Sequence, residues 1–485
     1  MKRTLSIAIV CLLLLFGLWG AATYWFGVKT EAQYRALLQQ AAEYPNVKLV
    51  NESYVRGFLS SKAQTAIEVQ PAPDAAAEKQ PIRLLLAHDI FHGPFPLAKP
   101  PGTKPQFKPV MGIIETSIVF SPENQNQISS VYAQIPEIAS ARDYTIIDLD
   151  GNGEEQLHIP AFQHTFGDED KVAVDWKGLS LQTSFTIDMK AFSGLLKAPG
   201  LEVTGKDFDL RIKEAASTLH VREDASGLSL GEASFDLDAV EYSEKNGTEP
   251  VGFLMQGFRA NTSSKASGDN VSFLGAIRTD QVKLNRAQYG PGVFEMEFRH
   301  LDAASLLKLQ EAARQQASAP AKPSTEAEQL VMLGRYMEIL PGLLKKSPEF
   351  EVKQLEIKTT DGDFTGKARL AFDGTKLEST QDLLALANAL AAQAEFKVAE
   401  SLLRRVAIDT MKADIVTEYE EQKGVVPDDK EIQKIASARL DEQLKALMAQ
   451  NMILKENGNY VARGSYEGGQ IILNGRPLSL QNLMQ

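Results

Sequence analysis

Between Arg3 and Lys29 no residue carries a charge, and beyond Lys29 apolar residues recur at every second position through much of the chain to about residue 300. The uncharged run, Thr4 to Val28, makes a helix of ~37 Å at 1.5 Å per residue. A bilayer core of ~30 Å needs only ~20 residues, so the run predicts a transmembrane helix with some tilt. Lys29 to Tyr44 continues it as a helix, ended by Pro45. The clearest strand pattern is Leu179 to Lys190, where Leu179, Leu181, Phe185, Ile187 and Met189 alternate with polar residues. Val172, Val174 and Trp176 show the same period. So do Phe208, Leu210 and Ile212, and Phe294, Met296 and Phe298. The phase flips near Gly231, between Leu228 and Leu230 on one side and Phe235, Leu237 and Ala239 on the other, which predicts a bulge or turn.

Turn signals separate these runs: Asp150-Gly151-Asn152-Gly153, Asn246-Gly247, Ser267-Gly268-Asp269-Asn270 and Gly290-Pro291-Gly292. Strands with one wet and one dry face and short turns between them predict a large antiparallel sheet. Its dry face must be covered by a second sheet, by helices, by a partner or by an apolar ligand.

From Leu301 the period becomes helical. Helices are expected at Leu301 to Ala317 and Glu326 to Leu344, with a linker from Ala317 to Ser324. Strands return at Phe350 to Lys358 and Phe364 to Phe372. Helices follow near Thr380 to Ala391 and Leu402 to Gln422, with a short strand around Phe396 and Val398. Asp428 and Glu431 form a capping box for a last helix, and a hairpin pairs Tyr460 to Tyr466 with Gln470 to Leu473. The fold class is therefore α+β: an N-terminal transmembrane helix, then a large elongated antiparallel sheet body, with helices mainly in the C-terminal third. The expected organisation is a cytoplasmic tip and anchor at 1–28, a β-rich body at 29–300, a helical segment with a linker at 301–347 and a mixed region at 348–485.

Lys2 and Arg3 precede the apolar run, so the positive-inside rule puts the N-terminus in the cytoplasm and the body on the far side. Trp19, Tyr24 and Trp25 cluster toward the outer end, where aromatic rings favour the interface. A cleaved signal peptide is the rival reading, with Gly20-Ala21-Ala22 as its cleavage site. The apolar run continues past it through Tyr24, Trp25 and Phe26, which favours an uncleaved anchor. Val10 is too bulky for a lipobox before Cys11. No second long apolar run follows, so a single pass is expected.

Composition narrows the chemistry. The 485 residues are 44% hydrophobic and 24% charged, a globular balance. Cys11 is the one cysteine, so the body has no disulfide, thiolate metal site or thiol nucleophile. The net charge of −12 becomes −14 once Lys2 and Arg3 are set aside, which disfavours nucleic acid and anionic surfaces as partners of the body.

Three motifs invite a catalytic or metal reading. Asp148-Leu149-Asp150-Gly151-Asn152-Gly153 matches half a calcium loop, but the twelfth position is Ile159 and the flanks alternate as strands. Gly227-Leu228-Ser229-Leu230-Gly231 matches a nucleophile elbow, yet Ala233 to Val240 alternates where a helix is required. His88 and His92 are four apart, like zinc ligands on a helix. Leu84-Leu85-Leu86 before them and Gly93-Pro94-Phe95-Pro96 after them predict a strand and a turn, which hold the rings ~13 Å apart. No cofactor, metal site or catalytic residue is expected.

Tyr54-Val55-Arg56-Gly57-Phe58-Leu59-Ser60-Ser61 and His92-Gly93-Pro94-Phe95-Pro96-Leu97 resemble two signatures of the YdgA-like family, and Asn474-Gly475 before Pro477-Leu478 fits the same family. The resemblance covers most of the chain in order, apart from residues 120 to 280. It implies a single-pass bacterial inner-membrane anchor with a periplasmic body. It also implies a link to surface motility and self-association, and brings no catalytic residues. The signature residues Tyr54, Arg56, Gly57, His92, Gly93, Pro94, Phe95 and Pro96 are the candidate site. Gly57 and Gly93 are read as permitting unusual backbone angles, Pro94 and Pro96 as stiffening a turn, and His92 as capping that turn or binding a partner.

The first expectation for function is a non-enzymatic envelope protein that handles lipid or another apolar ligand along its dry sheet face. The second is a structural or assembly module, whose dry face is covered by its own helices or by a second copy in a homo-oligomer. A hydrolase is the third. The inner membrane is the one partner expected from the chain itself.

Overall fold

The alternation is realised as antiparallel ladders, in a computed structural model that describes residues 2–41, 47–69, 82–96, 108–119, 134–167, 169–245, 252–285, 287–317, 326–377, 382–423 and 427–478. The chain forms two compact units, one of Met1–Glu223 with Gln310–Met332, the other of Asp224–Leu309 with Leu333–Gln485.

The first unit opens with helix α1 (Lys2–Ala41). Strands β1 (Val47–Arg56), β2 (Ser60–Val69), β3 (Ile82–His92), β4 (Val110–Val119), β5 (Arg142–Asp148) and β6 (Gly153–Ile159) then pair in sequence. A hairpin of β7 (Phe162–Phe166) and β8 (Val172–Trp176) follows. The ladder resumes with β9 (Leu179–Phe185) against β6, then β10 (Ala191–Thr204) and β11 (Phe208–Glu223). Strand β8 pairs with the later half of β10.

Helix α1 packs on β1, β3 and β4 through Thr23, Gly27, Thr30 and Tyr34, spaced four, three and four apart along one helical face. Thr23 and Thr30 are buried. Their hydroxyls donate to the carbonyls of Trp19 and Phe26, one turn back, which satisfies them without a partner on the sheet. Phe26 closes a small core with Met111 and Ile147, flanked by Ala22 and Phe185.

The second unit runs β12 (Ser229–Glu244), β13 (Gly252–Ser267), β14 (Asn270–Thr279), β15 (Gln281–Leu284) and β16 (Ala287–Asp302); helices α2 (Ala303–Ala317) and α3 (Glu326–Lys345) follow in the chain, with Gln310–Met332 counted in the first unit. After them come β17 (Glu349–Thr359), β18 (Phe364–Phe372), α4 (Leu383–Ala389), β19 (Leu390–Ala399), α5 (Glu400–Lys423), α6 (Asp429–Ala449), β20 (Leu454–Glu456), β21 (Asn459–Glu467), β22 (Gln470–Leu473) and β23 (Arg476–Leu478). The main ladder is β12-β13-β14-β16-β17-β18-β19-β21-β22-β23. Asp428 caps α6 by accepting from Glu431 N, and Ile432, Ala436, Leu440 and Leu444 bury its inner face. Leu440 and Leu444 meet Tyr460 of β21.

Five sequence expectations change in detail. The pattern over Leu179 to Lys190 is a strand only to Phe185. Thr186 Oγ1 and Lys190 N both donate to Asp188, which folds a turn and leaves Ile187 and Met189 exposed. Gly290-Pro291-Gly292 is no turn: β16 runs through it, and the register against β17 shifts between Tyr289 and Gly292, as at a bulge. The helix expected to reach Ala391 stops at Ala389, and the short strand expected around Phe396 is β19, all of Leu390–Ala399. At Gly231 the strand continues, but Ser264 Oγ bonds both its N–H and its carbonyl, and regular pairing with β13 starts at Glu232. Asn246-Gly247 and the linker at 318–324 lie outside the described residues.

The charge-free run lies in α1, which continues unbroken to Ala41. Among the described residues no helix is long and apolar enough to cross a membrane, and the side chains of residues 1–12 lie outside them.

Candidate functional site

The two signature segments meet at the end of β3, against α1. His92 is buried, 1% exposed, at the end of β3. Its Nδ1 lies 3.1 Å from the carbonyl of Phe58 and its Nε2 lies 2.8 Å from Ser61 Oγ. A carbonyl only accepts, so Nδ1 carries the proton and Nε2 accepts from Ser61. That neutral tautomer agrees with a pKa pushed down by burial and by Arg56, against the opposing pull of the Phe58 carbonyl. The imidazole thus ties the β1–β2 turn to β3.

Gly93 adjoins backbone so closely that a Cβ there would stand 1.7 Å from the Val110 carbonyl oxygen. Gly93 N donates to Met111 O at 2.8 Å, and Val110 N donates to Pro94 O at 2.9 Å. Gly57 N donates to Ser60 O, and a Cβ at 57 would stand 2.6 Å from that oxygen. Neither glycine has a positive φ, so close approach explains them, in place of the unusual angles expected. Arg56 pairs with Glu31 of α1 at 3.0 Å and covers the Tyr24 ring. Tyr54 packs on Tyr34 with ring centroids 5.3 Å apart. Pro94 and Pro96 flank Phe95, whose ring is exposed. Tyr54, Arg56, Gly57, His92, Gly93 and Pro94 therefore meet in one joint between helix and sheet, from which Phe95 projects.

Beside the joint, the expected dry face is crossed by a polar stripe. His88 Nε2 lies 2.9 Å from Thr65 Oγ1, and its Nδ1 lies 3.0 Å from Thr116 Oγ1. Tyr34 of α1 reaches Thr65 at 2.6 Å. Thr116 pairs across the ladder with Asp143, and Thr183 donates to Glu155 at 2.7 Å. Burial pushes the His88 pKa down to about 4. Burial first, then the nearby Glu155 charge, pushes Asp143 up to about 7. Asp143 Oδ1 has no hydrogen-bond partner among the described residues. Sequence reading missed this stripe. Its one visible signal was Thr183, a polar residue at a dry position.

The motifs set aside earlier sit on strands and turns. Asp150 accepts from Asn152 N and Nδ2 within the β5–β6 turn. Ser229 opens β12, between the buried Leu228 and Leu230.

The second unit carries the apolar face. Pairing aligns Phe273, Phe298, Phe350 and Leu370 in one row, and Gly275, Met296, Val352, Ala368, Ala394 and Gly464 in the next. A third row is Ile277, Phe294, Leu355, Gly366 and Phe396. The Phe298 and Phe350 rings meet at a tilt, with centroids 4.7 Å apart. Helices α5 and α6 meet this face at Val398 and Tyr460, and Tyr466 donates to Ala387 O of α4 at the opposite side. Between them the rows stay partly open: Phe273, Ile277, Phe298, Leu370 and Phe396 are 36 to 44% exposed. The other face carries ion pairs, among them Arg299 with Glu349 and Glu351, and Arg369 with Glu349.

A family model described as a bacterial protein of unknown function, DUF945, matches residues 1–481. The chain belongs to this family. Among its DUF945 relatives is Protein YdgA of Escherichia coli, 22% identical over 96% of this chain and 93% of that one. An uncharacterized protein of Haemophilus influenzae is 21% identical over 64% of this chain and 85% of its own length. No solved structure matches. The joint and the open apolar face are thus features of a DUF945 chain.

Proposed function

We propose that the protein is a non-enzymatic, single-pass inner-membrane protein of the bacterial envelope, whose second unit holds lipid acyl chains against its apolar sheet face. The observation that carries this reading is the three aligned apolar rows from β14 to β21, left partly open between helices. Six strands at ~4.8 Å span ~24 Å, and three rows cover ~13 Å along the strands. One leaflet of a ~30 Å core is ~15 Å deep, so a chain of that length lies within the face. Contiguous exposed apolar surface of this kind marks a binding surface. The charge-free run in α1, preceded by Lys2 and Arg3, supports a membrane as the lipid source.

The test is native mass spectrometry of the full chain released from mild detergent, with lipid extraction of the same sample. Phospholipid bound to the wild type and lost from Met296→Asp, with Glu297→Ala on the opposite face unchanged, supports the reading. A lipid-free folded monomer overturns it. A lipid-free dimer overturns it in favour of an assembly module, in which a second copy covers the face.

A further inference from the structure

From residue 47 to residue 223, every exposed large apolar side chain among the described residues lies at one end of the first unit's sheet. Val55 lies at the end of β1, Phe58 and Leu59 form the β1–β2 connection, and Phe95 follows β3. Leu149 is in the β5–β6 turn, and Ile187 and Met189 are in the β9–β10 turn. Register places these connections side by side. Ser60 pairs with Phe91, His92 with Gly112, Gly112 with Ile147, Ile147 with Gly153, Gly153 with Phe185, and Phe185 with Phe192. The exposed residues form a rim just beyond that line.

The rim has a definite height on α1. Phe58 lies on Gly20, where a Cβ would be 3.4 Å from its ring, and Arg56 covers Tyr24. Ala22 and Phe26 meet Phe185, Ile147 and Met111. If the hydrocarbon begins at Thr4, ~20 residues of helix carry the chain across and out near Tyr24. Gly20 is then ~6 Å inside the boundary at 1.5 Å per residue. Interfacial segments bury apolar side chains ~5–10 Å into the headgroup and acyl boundary. The rim's charges do not drive this, since a body of net charge −14 gains nothing from anionic headgroups, and its apolar side chains carry the contact. Asp150 and Asp188 accept local turn hydrogen bonds, while Lys108 and Lys190 pair with Asp148 and Glu223. The joint at His92 and the Arg56–Glu31 pair fix the rim to the helix, so the two cannot take different depths.

We infer that this rim is a membrane-inserting surface: the tips of the first unit's sheet, led by Phe58, Phe95 and Ile187, enter the outer boundary of the same bilayer that α1 crosses. The inference rests on the membrane-anchor reading and adds that the body is seated in the lipid rather than held away from it. Its partner is the phospholipid bilayer surface.

The single native cysteine makes the test direct. In a Cys11→Ser background, spin labels are placed one at a time at Phe58→Cys, Phe95→Cys, Ile187→Cys, Leu15→Cys and Glu137→Cys, in the full chain. Glu137 is exposed just before β5, whose other end reaches the rim. The protein is reconstituted in nanodiscs of phosphatidylethanolamine and phosphatidylglycerol, and accessibility to oxygen and to a water-soluble nickel chelate is read by saturation. The expected result is loss of nickel accessibility at the three rim sites and at Leu15, with Glu137 remaining open to nickel. Rim sites as open to nickel as Glu137, with Leu15 in lipid, overturn the inference and leave the anchor standing. Leu15 in water overturns both.

Discussion

His92 lies against Gly27 so tightly that a Cβ on residue 27 would stand 2.6 Å from the imidazole Cε1. The ring cannot yield, because Phe58 O and Ser61 Oγ hold both its nitrogens. Gly27→Ala therefore forces helix and sheet apart. Overpacking costs ~1–3 kcal/mol, and the ~1 kcal/mol gain in helix propensity offsets only part of it. The expected outcome is faster hydrogen exchange in β3 around Phe91 and His92, larger for Gly27→Leu than for Gly27→Ala. Unchanged exchange in both variants sets aside the joint.

Gly93→Ala is expected to be more severe. Its Cβ would overlap the Val110 carbonyl, so the strands must separate and lose the bonds at Gly93 N and Val110 N. Two backbone hydrogen bonds are worth ~1 kcal/mol each, and a buried unsatisfied group costs ~1–3 kcal/mol more. A fall in the thermal midpoint exceeding that of Gly27→Ala is the outcome to check by differential scanning calorimetry.

The polar stripe predicts opposed pH responses. His88 has a folded pKa near 4 against 6.5 when free, so the unfolded chain binds its proton first. Its contribution to stability is present above pH ~6.5 and is lost as pH falls toward 4. Asp143 has a folded pKa near 7 against 3.8, so the folded chain binds the proton more tightly. Its contribution is full below ~3.8 and is lost as pH rises through 7. Asp143→Asn keeps the neutral form at every pH. It is expected to stabilise the protein at pH 8 by on the order of 2 kcal/mol and to leave stability near pH 4 unchanged. Denaturant midpoints of both proteins at the two pH values check this, and a loss at pH 8 contradicts it.

Much of the architecture was legible because burial on one side leaves a period of two. Phe294, Met296 and Phe298 announced β16, and Asp428 with Glu431 announced the start of α6. Local chemistry competes with the period and ends elements earlier than alternation alone implies. The Thr186–Asp188 bond ends a strand that alternation alone extends to Lys190. The sequence marks His92 as the end of a strand, since Gly-Pro-Phe-Pro after it signals a turn, but its bonds go to the β1–β2 region and do not cap that turn. Its actual partners, Phe58 and Ser61, lie 34 and 31 residues away and depend on register, which alternation does not specify. The same is true of the stripe. Thr65, His88, Thr116, Asp143 and Glu155 become neighbours only once five strands are in line.

The central claim, acyl chains on the apolar face, is tested most directly by photocrosslinking. A phospholipid carrying a diazirine on its acyl chain is reconstituted with the full protein, irradiated, and the adducts are mapped by mass spectrometry. The account predicts adducts at Phe294, Met296 and Phe298 of β16 and at Leu370 and Phe396 beside them, and none at Glu295 or Glu297 between. Adducts confined to α1 and the rim, with the face unlabelled, contradict it.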